Sequence, residues 1–285
     1  MARSLSIRRR VRFFLPIITE HFMKLSIIFP VKNQTAKLIQ NIKSKAIPYY
    51  DSLGLDYEFL IVSDGSDEPN QKAMSLAMKD LPKQVRLVSY QNHLGKGHNV
   101  QRGILEASGD YIMFMDADFA TDLHALDVIL PQIDKYDCFV ASRHCAGAQI
   151  LSKQTCTRRL ISWGSRKLIK MKFHFQGLSD TQCGYKLFKA PIAKMLAKKQ
   201  TCDGFAFDVE YLYILSLNHY SIKEVPVQWS DDPDSSISRP AKTSMAFYKE
   251  MKLIKKNKAR YLLTAAEKND IAEAKKTLVG DSYAH

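Results

Sequence analysis

The stretch Tyr111-Ile112-Met113-Phe114-Met115-Asp116-Ala117-Asp118 decides the fold of this 285-residue chain. Its first five residues form a continuous apolar run, which is typical of a strand buried on both faces of a sheet. The run ends at two carboxylates separated by one residue. Two carboxylates beyond a buried strand can hold a hard divalent cation together with substrate phosphates; the alternative is a solvated loop. The sequence therefore predicts an α/β protein with a candidate metal site at Asp116 and Asp118.

Strands and helices alternate upstream of this stretch. Such alternation indicates a mainly parallel central sheet with helices on both faces. In such sheets, ligands bind at the carboxyl ends of the strands. The polar residues that follow the first, second and fourth strands are therefore expected to meet. The upstream strands are predicted at residues 25–31, 58–62 and 85–89, and the helices near 35–47, 69–79 and 97–107.

Two polar segments close to those strand ends are candidates for ligand contact. Asp64 ends the second strand within a Ser-Asp-Gly-Ser cluster. It is compatible with an Asx turn or with a carboxylate that accepts the ring N–H of a pyrimidine base. Gly95-Lys96-Gly97 could let the backbone approach a phosphate, although the segment lacks the upstream glycine and the Ser or Thr of a P-loop.

The second half of the chain is less regular. Arg143 follows a predicted strand and Lys186 lies in a polar segment, so either could hold a phosphate or be solvated surface. Strands are predicted at 138–142 and 222–229, and helices at 156–173, 205–217 and from 244 onward, the last charged and peripheral. The expected organisation is a basic segment at 1–22, one domain at 23–230, and a loop with a charged helical tail at 231–285.

The helix predicted at 156–173 has an apolar arc flanked only by cations. The arc spans about 160° on a helical wheel. This pattern is typical of a helix that lies in a membrane interface, and ordinary core packing is the alternative. The arc contains Leu160, Ile161, Trp163, Leu168, Met171 and Phe175, and the flanking cations are Arg158, Arg159, Arg166, Lys170 and Lys172.

Composition narrows the class of partner. The net charge of +13 favours an acidic partner, which could be nucleic acid, anionic lipid or a phosphorylated substrate. Five cysteines without a CxxC pair favour neither a disulfide framework nor a zinc site, and a cytosol-facing protein is expected. No run approaches the roughly 18–20 apolar residues that span a bilayer, so we expect peripheral membrane association. Residues 1–22 are compatible with a basic surface anchor or an unstructured tail.

Taken together, these segments resemble the family-two glycosyltransferases with a GT-A fold, the Rossmann-like fold of nucleotide-diphospho-sugar transferases. The similarity runs from residue 24 to residue 229. Residues 180–188 (DTQCGYKLF) and 206–210 (AFDVE) most resemble the branch that glucosylates dolichyl or other polyprenyl phosphates. The mannose-transferring relatives resemble these two segments less. The segments that carry the resemblance, in chain order, are IIFPVKN, IVSDGSDE, NHLGKGHNV, MDADFAT, ASRH, SDTQCGYKLF, FAFDVEYLY and EVPVQW.

The resemblance implies transfer of a hexose, expected to be glucose, from a UDP-sugar to a polyprenyl phosphate at the cytoplasmic face of a membrane. It implies Mg²⁺ or Mn²⁺ as the cofactor, held by Asp118 and Asp116. Arg143 and Lys186 would grip the acceptor phosphate. Asp208 and Glu210 would lie near the sugar or acceptor and, with the two metal-binding aspartates, form the catalytic set. The residues implied to bind the nucleotide sugar are Pro30, Val31, Asn33, Asp64, Lys96, Gly97 and Asp116.

The chain departs from the family pattern at several positions. Gln34 stands where Glu is frequent, Ser63 replaces the first Asp of a DDGS motif, and Arg239 is expected to substitute for a basic residue of a GSK-like loop. A mannosyl or other hexosyl donor is the alternative within the enzyme class. A basic nucleic-acid-binding protein is the alternative of another class. No recognised nucleic-acid motif supports it, so no nucleic-acid partner is expected.

Overall fold

The computed structural model describes residues 23–152, 156–230 and 240–279. These form a seven-stranded sheet, a second sheet of two short strands, and helices packed on both faces. The expected basic segment at 1–22 and the loop 231–239 with Arg239 lie outside the described residues, as do the side chains of residues 156–161. The strands are β1 (Lys24–Val31), β2 (Asp56–Asp64), β3 (Val85–Tyr90), β4 (Tyr111–Met115), β5 (Cys138–Ser142), β6 (Gln149–Ile150), β7 (Tyr185–Lys189), β8 (Ile222–Pro226) and β9 (Gln228–Trp229).

The helices alternate with the strands in the first half of the chain and follow one another at its end. A π-helical turn, Ile42–Ala46, joins the first two helices, and 3₁₀ turns lie at Met78–Asp80 and Leu130–Lys135. The α-helices are α1 (Thr35–Asn41), α2 (Ile47–Leu53), α3 (Glu68–Ala77), α4 (Lys96–Glu106), α5 (Ala125–Ile129), α6 (Cys156–Phe173), α7 (Ala190–Lys199), α8 (Phe207–Leu217), α9 (Pro240–Lys256), α10 (Lys258–Tyr261) and α11 (Ala265–Val279).

The large sheet has the strand order β3-β2-β1-β4-β7-β5-β8. Strand β7 runs antiparallel to its neighbours β4 and β5, and the other neighbouring strands pair in parallel. The predicted α/β class with a mainly parallel sheet is therefore confirmed. The sequence did not predict β7, because lysines at 186 and 189 interrupt its apolar residues. Both lysine side chains are nevertheless buried.

Two hydrophobic cores lie on opposite faces of the sheet. Successive side chains of a strand point to opposite faces, so each central strand supplies both cores. Ile28 of β1 packs in one core, while Ile27 and Phe29 pack in the other. The first core also contains residues of α4, α7 and α8, and the second contains residues of α1 and α5. Burial on both faces explains why these strands have no polar alternation.

The strand order brings the predicted site segments to one edge. The carboxyl ends of β2, β1 and β4 lie side by side. Because β7 is antiparallel to β4, its first residue, Tyr185, pairs with Met115 at the end of β4. Residues 180–184, which precede β7, therefore reach the same edge as the two carboxylates after β4.

The last three helices are more deeply packed than the sequence suggested. They are helical and charged as expected, but the peripheral position is wrong for part of them. Met251, Ile254 and Tyr261 are fully buried in the first core. In addition, Lys199 of α7 pairs with Glu267 of α11 at 2.7 Å. Their apolar residues therefore complete the core on one face of the sheet.

Helix α6 has the predicted bounds, but the predicted apolar arc is divided between two environments. Trp163 and Met171 are 54% and 61% exposed, whereas Phe175 is buried and Leu168 packs against the core. The helix ends at Phe173, so Phe175 lies beyond the last turn. Within the described part of the chain, no helix combines the length and apolarity needed to cross a bilayer.

Candidate active site

The end of β1 forms one wall of the candidate site. Pro30 and Val31 are buried and pair with Val62 and Ser63 of β2. Asn33 follows with φ of 52°, a left-handed conformation that Asn tolerates better than most residues. Its backbone N–H donates to Ser66 Oγ, and its side-chain oxygen accepts from the backbone N–H of Asp67. These bonds join the loops that follow β1 and β2.

Asp64, at the end of β2, is buried and anchors the loop before α4. Its carboxylate accepts from the backbone N–H groups of Leu94 (2.8 Å) and Gly95 (3.0 Å). His93 Nδ1 lies 2.5 Å from the same carboxylate. Asp64 therefore organises this loop directly, and its predicted contact with a uracil base stays a prediction.

The N-terminus of α4 is packed against residues 202–204. The backbone N–H groups of Gly97 and His98 donate to the carbonyls of Gly204 and Asp203, both at 3.1 Å. A Cβ on Gly97 would lie 2.6 Å from the Cys202 carbonyl oxygen, so only glycine permits this approach. The sequence predicted that the Gly95–Gly97 backbone approaches a phosphate. In the structure this backbone is in close contact with residues 202–204, and its contact with a ligand stays a prediction.

Lys96 and Asp116 form the centre of the site. Lys96 Nζ lies 2.5 Å from Asp116 Oδ1, and the two side chains remain 22% and 34% exposed. Burial disfavours the charged ammonium, but the nearby carboxylates, led by Asp116 and Asp208, outweigh it and raise the pKa of Lys96. Lys96 is thus held as an ammonium, and because both side chains are partly exposed, an incoming ligand can compete for either partner.

The backbone around Asp116 and Asp118 is closely fitted. The Asp116 N–H donates to the Gly184 carbonyl at 2.9 Å, and a methyl group on Gly184 would overlap the Asp116 carboxylate. Asp118 Oδ1 accepts from the backbone N–H of Ala120 at 3.0 Å. Gly184 was not predicted as a site residue, although it lies within one of the segments that carry the family resemblance.

Lys186 and Asp208 form a buried ion pair behind this centre. Lys186 Nζ lies 2.5 Å from Asp208 Oδ1 and donates to the Cys183 carbonyl, and its side chain is 0% exposed. Burial raises the pKa of Asp208 above its ordinary value, although Lys186 and Lys96 oppose this rise. The ammonium of Lys186 already has two partners, so an acceptor phosphate would have to be its third. The predicted role of Lys186 at that phosphate stays a prediction.

Arg143 is held by a second buried carboxylate. Its Nε and Nη2 donate to the two oxygens of Asp180 at 2.7 and 3.0 Å, and its guanidinium lies over the Trp229 ring. Burial opposes ionisation of Asp180, but Arg143 holds the pKa of this carboxyl at about 2. The bidentate pair fixes the orientation of Arg143. Its predicted contact with an acceptor phosphate is not tested by this geometry.

Glu210 is also buried, but its contacts are with other segments. One carboxylate oxygen accepts from the Thr201 N–H and the Tyr261 hydroxyl, and the other accepts from the Cys202 N–H. In α8, Asp208 and Glu210 are two residues apart and therefore point to different sides of the helix. Of the two, Asp208 is the one that contacts the Lys96 and Lys186 cluster. The catalytic role expected for Glu210 stays a prediction.

Comparison with known proteins shows the family of this chain. A family model described as Glycosyl transferase family 2 matches residues 26–195. The dolichyl-phosphate beta-glucosyltransferase of Dictyostelium discoideum is 30% identical over 251 residues, which cover 84% of this chain and 75% of that protein. The family model spans every predicted site residue from Pro30 to Lys186.

Two solved structures share the fold at low sequence identity. Mannosyl-3-phosphoglycerate synthase from Rubrobacter xylanophilus has a TM-score of 0.59 and 13% identity, and the match covers 92% of this chain and 80% of that one. The mannosyltransferase PcManGT from Pyrobaculum calidifontis, in complex with GDP-Man and Mn²⁺, has a TM-score of 0.51 and 14% identity, with coverage of 96% and 76%. These likenesses confirm the GT-A fold. With this fold and the family match over more than half of its length, the chain belongs to glycosyl transferase family 2 and is a glycosyltransferase.

Proposed function

We propose that this chain transfers glucose from UDP-glucose to the phosphate of a dolichyl or related polyprenyl lipid, with inversion at the anomeric carbon. The observation that carries the proposal is the similarity, over 84% of the chain, to a protein named dolichyl-phosphate beta-glucosyltransferase. The two segments that resemble this branch most specifically supply Lys186 and Asp208, which pair directly behind Lys96 and Asp116.

The donor nucleotide is assigned to the edge formed by β1, β2 and β4. Pro30, Val31 and Asn33 line one side of this edge, and Asp64 holds the loop on the other side. Lys96 begins the helix that follows the loop held by Asp64, and its ammonium reaches Asp116 after β4, on the far side of β1; the diphosphate is expected at this pair. An ammonium beside a diphosphate offsets its charge and favours departure of the nucleotide.

The donor set at Asp116 and Asp118 fits a Mg²⁺ or Mn²⁺ ion that is shared with the substrate. Among the described residues, no group of three or more His, Cys, Asp or Glu side chains is placed to hold a metal. Two carboxylates suit a hard cation whose remaining ligands are phosphate oxygens and water. When bound, such a cation neutralises charge on the departing diphosphate. The neighbour that contains Mn²⁺ supports this assignment.

The proposed acceptor hardly needs a general base. A phosphate monoester has a second pKa near 6, so a lipid phosphate is largely dianionic at neutral pH. The protein must hold donor and acceptor in line and limit repulsion between their phosphates. Arg143 and Lys186 are the proposed cations, and Asp208 positions Lys186.

A lipid acceptor requires access to a membrane, and α6 supplies the proposed contact. Trp163 and Met171 are exposed on this helix together with Lys167 and Lys170. Exposed apolar side chains beside cations suit the interface of an anionic membrane. We therefore propose peripheral attachment at the cytoplasmic face, with this side of α6 toward the lipid.

A transfer assay tests the proposed function. The protein is incubated with labelled UDP-glucose, UDP-galactose or GDP-mannose, with Mn²⁺ or Mg²⁺ and a polyprenyl phosphate, and label is followed into the lipid phase. UDP-glucose should be the best donor. Preferential transfer from GDP-mannose would establish the mannosyl alternative, and absence of transfer from every donor would refute the proposal. Dolichol without its phosphate is the matched control acceptor and should remain unlabelled.

A further inference from the structure

The segment 202–206 connects the N-terminus of α4 to the C-terminal helices. On one side, the carbonyls of Asp203 and Gly204 accept from the backbone N–H groups of His98 and Gly97. The first residue of α4 is Lys96, whose ammonium contacts Asp116. The position of this ammonium therefore depends on how firmly the segment 202–206 is held.

Glu250 of α9 holds this segment from the other side. Its Oε2 accepts from the Ala206 N–H at 2.9 Å, and its carboxylate also accepts from the Gly204 N–H. A methyl group on Gly204 would overlap Glu250 Oε1, so the carboxylate sits directly against the backbone. Gly204 lies between the two contacts: its N–H faces Glu250 and its carbonyl faces Gly97.

The position of Glu250 in its helix suits it to hold the segment 202–206. Helix α9 carries lysines at 242, 249, 252, 255 and 256, and Glu250 is its one acid. Its neighbour Met251 is fully buried in the core, which fixes the helix relative to α8. Glu250 also lies outside the region matched by the family model, which ends at residue 195.

From these contacts we infer that Glu250 is a positioning residue for Lys96. It acts through the segment 202–206: the carboxylate fixes the Gly204 and Ala206 amides, and the carbonyls of Asp203 and Gly204 fix the first turn of α4. The consequence for catalysis rests on the proposed function, since it assumes that Lys96 and Asp116 meet the nucleotide diphosphate and its metal. The structural part of the inference stands without that assumption.

The first measurement is amide hydrogen exchange in Glu250→Gln. This substitution keeps the size of the side chain but replaces one acceptor by an N–H group that opposes a backbone donor. The Gly97 and His98 amides should exchange about tenfold faster than in the wild type. Glu273→Gln is the matched control: it removes the same charge from an exposed side chain paired with Lys276, and exchange in α4 should not change. Unchanged exchange in Glu250→Gln would overturn the inference.

The second measurement is a double-mutant cycle with Lys96, read by calorimetry of UDP binding in the presence of Mn²⁺. Glu250→Gln should weaken binding about tenfold in the wild-type background, and it should have no further effect in Lys96→Met. A purely structural role would instead lower the melting temperature and reduce affinity to the same extent in both backgrounds. Additive effects would therefore overturn the inference.

Gly204→Ala provides an independent variant if Glu250→Gln folds poorly. Gly204 does not have a positive φ, so alanine is allowed by the backbone, and the three atoms nearest to the added methyl group all belong to Glu250. It should reproduce the faster exchange and the non-additive loss of affinity. If the wild type bound no UDP, the proposed function would fall, while the exchange measurement would still decide whether Glu250 positions α4.

Discussion

Two regions of this protein contain ion pairs that differ in their exposure to solvent. At the edge of β1, β2 and β4, Lys96 and Asp116 are paired but remain 22% and 34% exposed. In the region built by β7 and α8, Lys186 and Asp208 are paired with only 0% and 6% of their side chains exposed. Both regions belong to one cluster, because Asp208 also acts on Lys96.

This difference separates groups that can exchange partners from groups that cannot. A partly exposed pair loses less when a ligand replaces one partner, because water and the ligand can solvate the group that is released. A buried pair is costly to open, since each ion would be left without water or a partner. We therefore expect substitutions at the open edge to alter ligand binding and turnover, and substitutions in the buried region to alter stability first.

The largest effect is expected for Lys186→Met. Removing the ammonium leaves the Asp208 carboxylate buried and unpaired, which should lower the free energy of unfolding by about 3–5 kcal/mol. Denaturant unfolding measures this change. The double variant Lys186→Met with Asp208→Asn should recover much of the stability, because no unpaired charge remains. Full stability together with a raised KM for the lipid acceptor would instead show that Lys186 contacts the acceptor phosphate, and the contrast between the two regions would fail.

The next effect is expected for Asp118→Asn at the open edge. A neutral amide is a poorer ligand for a hard cation, so turnover should fall by on the order of 100-fold, which corresponds to about 3 kcal/mol. The melting temperature should change little, because Asp118 is only half-buried. Turnover with labelled UDP-glucose, with and without EDTA, measures the effect. Full wild-type activity in EDTA would contradict the metal assignment.

A smaller effect is expected for Asp64→Ala. Asp64 lies at the same edge, but its side chain is buried. The variant loses the bonds that hold the loop 93–95, so UDP affinity should fall by about 1.5–3 kcal/mol in total. Comparing UDP with GDP separates two explanations. Loss of the preference for UDP would show that Asp64 reads the base. An equal loss for both nucleotides would show that it acts only by holding the loop.

The smallest effects are expected at the exposed face of α6. Replacing Lys167 and Lys170 with Gln should weaken sedimentation with anionic liposomes by about 1 kcal/mol per cation at low salt. Replacing Trp163 and Met171 with Ser should weaken it even at high salt, because burial of apolar surface is not screened. Ile169, which is 1% exposed on the opposite face, provides the contrasting position. A melting temperature reduced by the Trp163 and Met171 changes would indicate that these side chains pack within the protein.

Several features of the fold and site could be predicted from the sequence because they depend on local patterns. The apolar run of β4 and its terminal carboxylates identified a buried strand with a polar end, and the bounds of α6 followed from its composition. Strand β7 could not be recognised, because lysines normally lie at the surface and their burial depends on distant partners. Lys186 is buried only because Asp208, 22 residues later, meets it.

The sequence by itself determined the α/β class, the polar residues at the ends of the first, second and fourth strands, and the two carboxylates that mark the site. These follow from side-chain periodicity and turn chemistry, which act over a few residues. Only the tertiary structure decided which charged side chains remain partly exposed and which are buried in pairs with other residues. It paired Arg143 with Asp180, gave Glu210 to Thr201 and Tyr261, and set Glu250 against Gly204. Such pairings join residues far apart in the chain, and their strength depends on burial that no local pattern specifies.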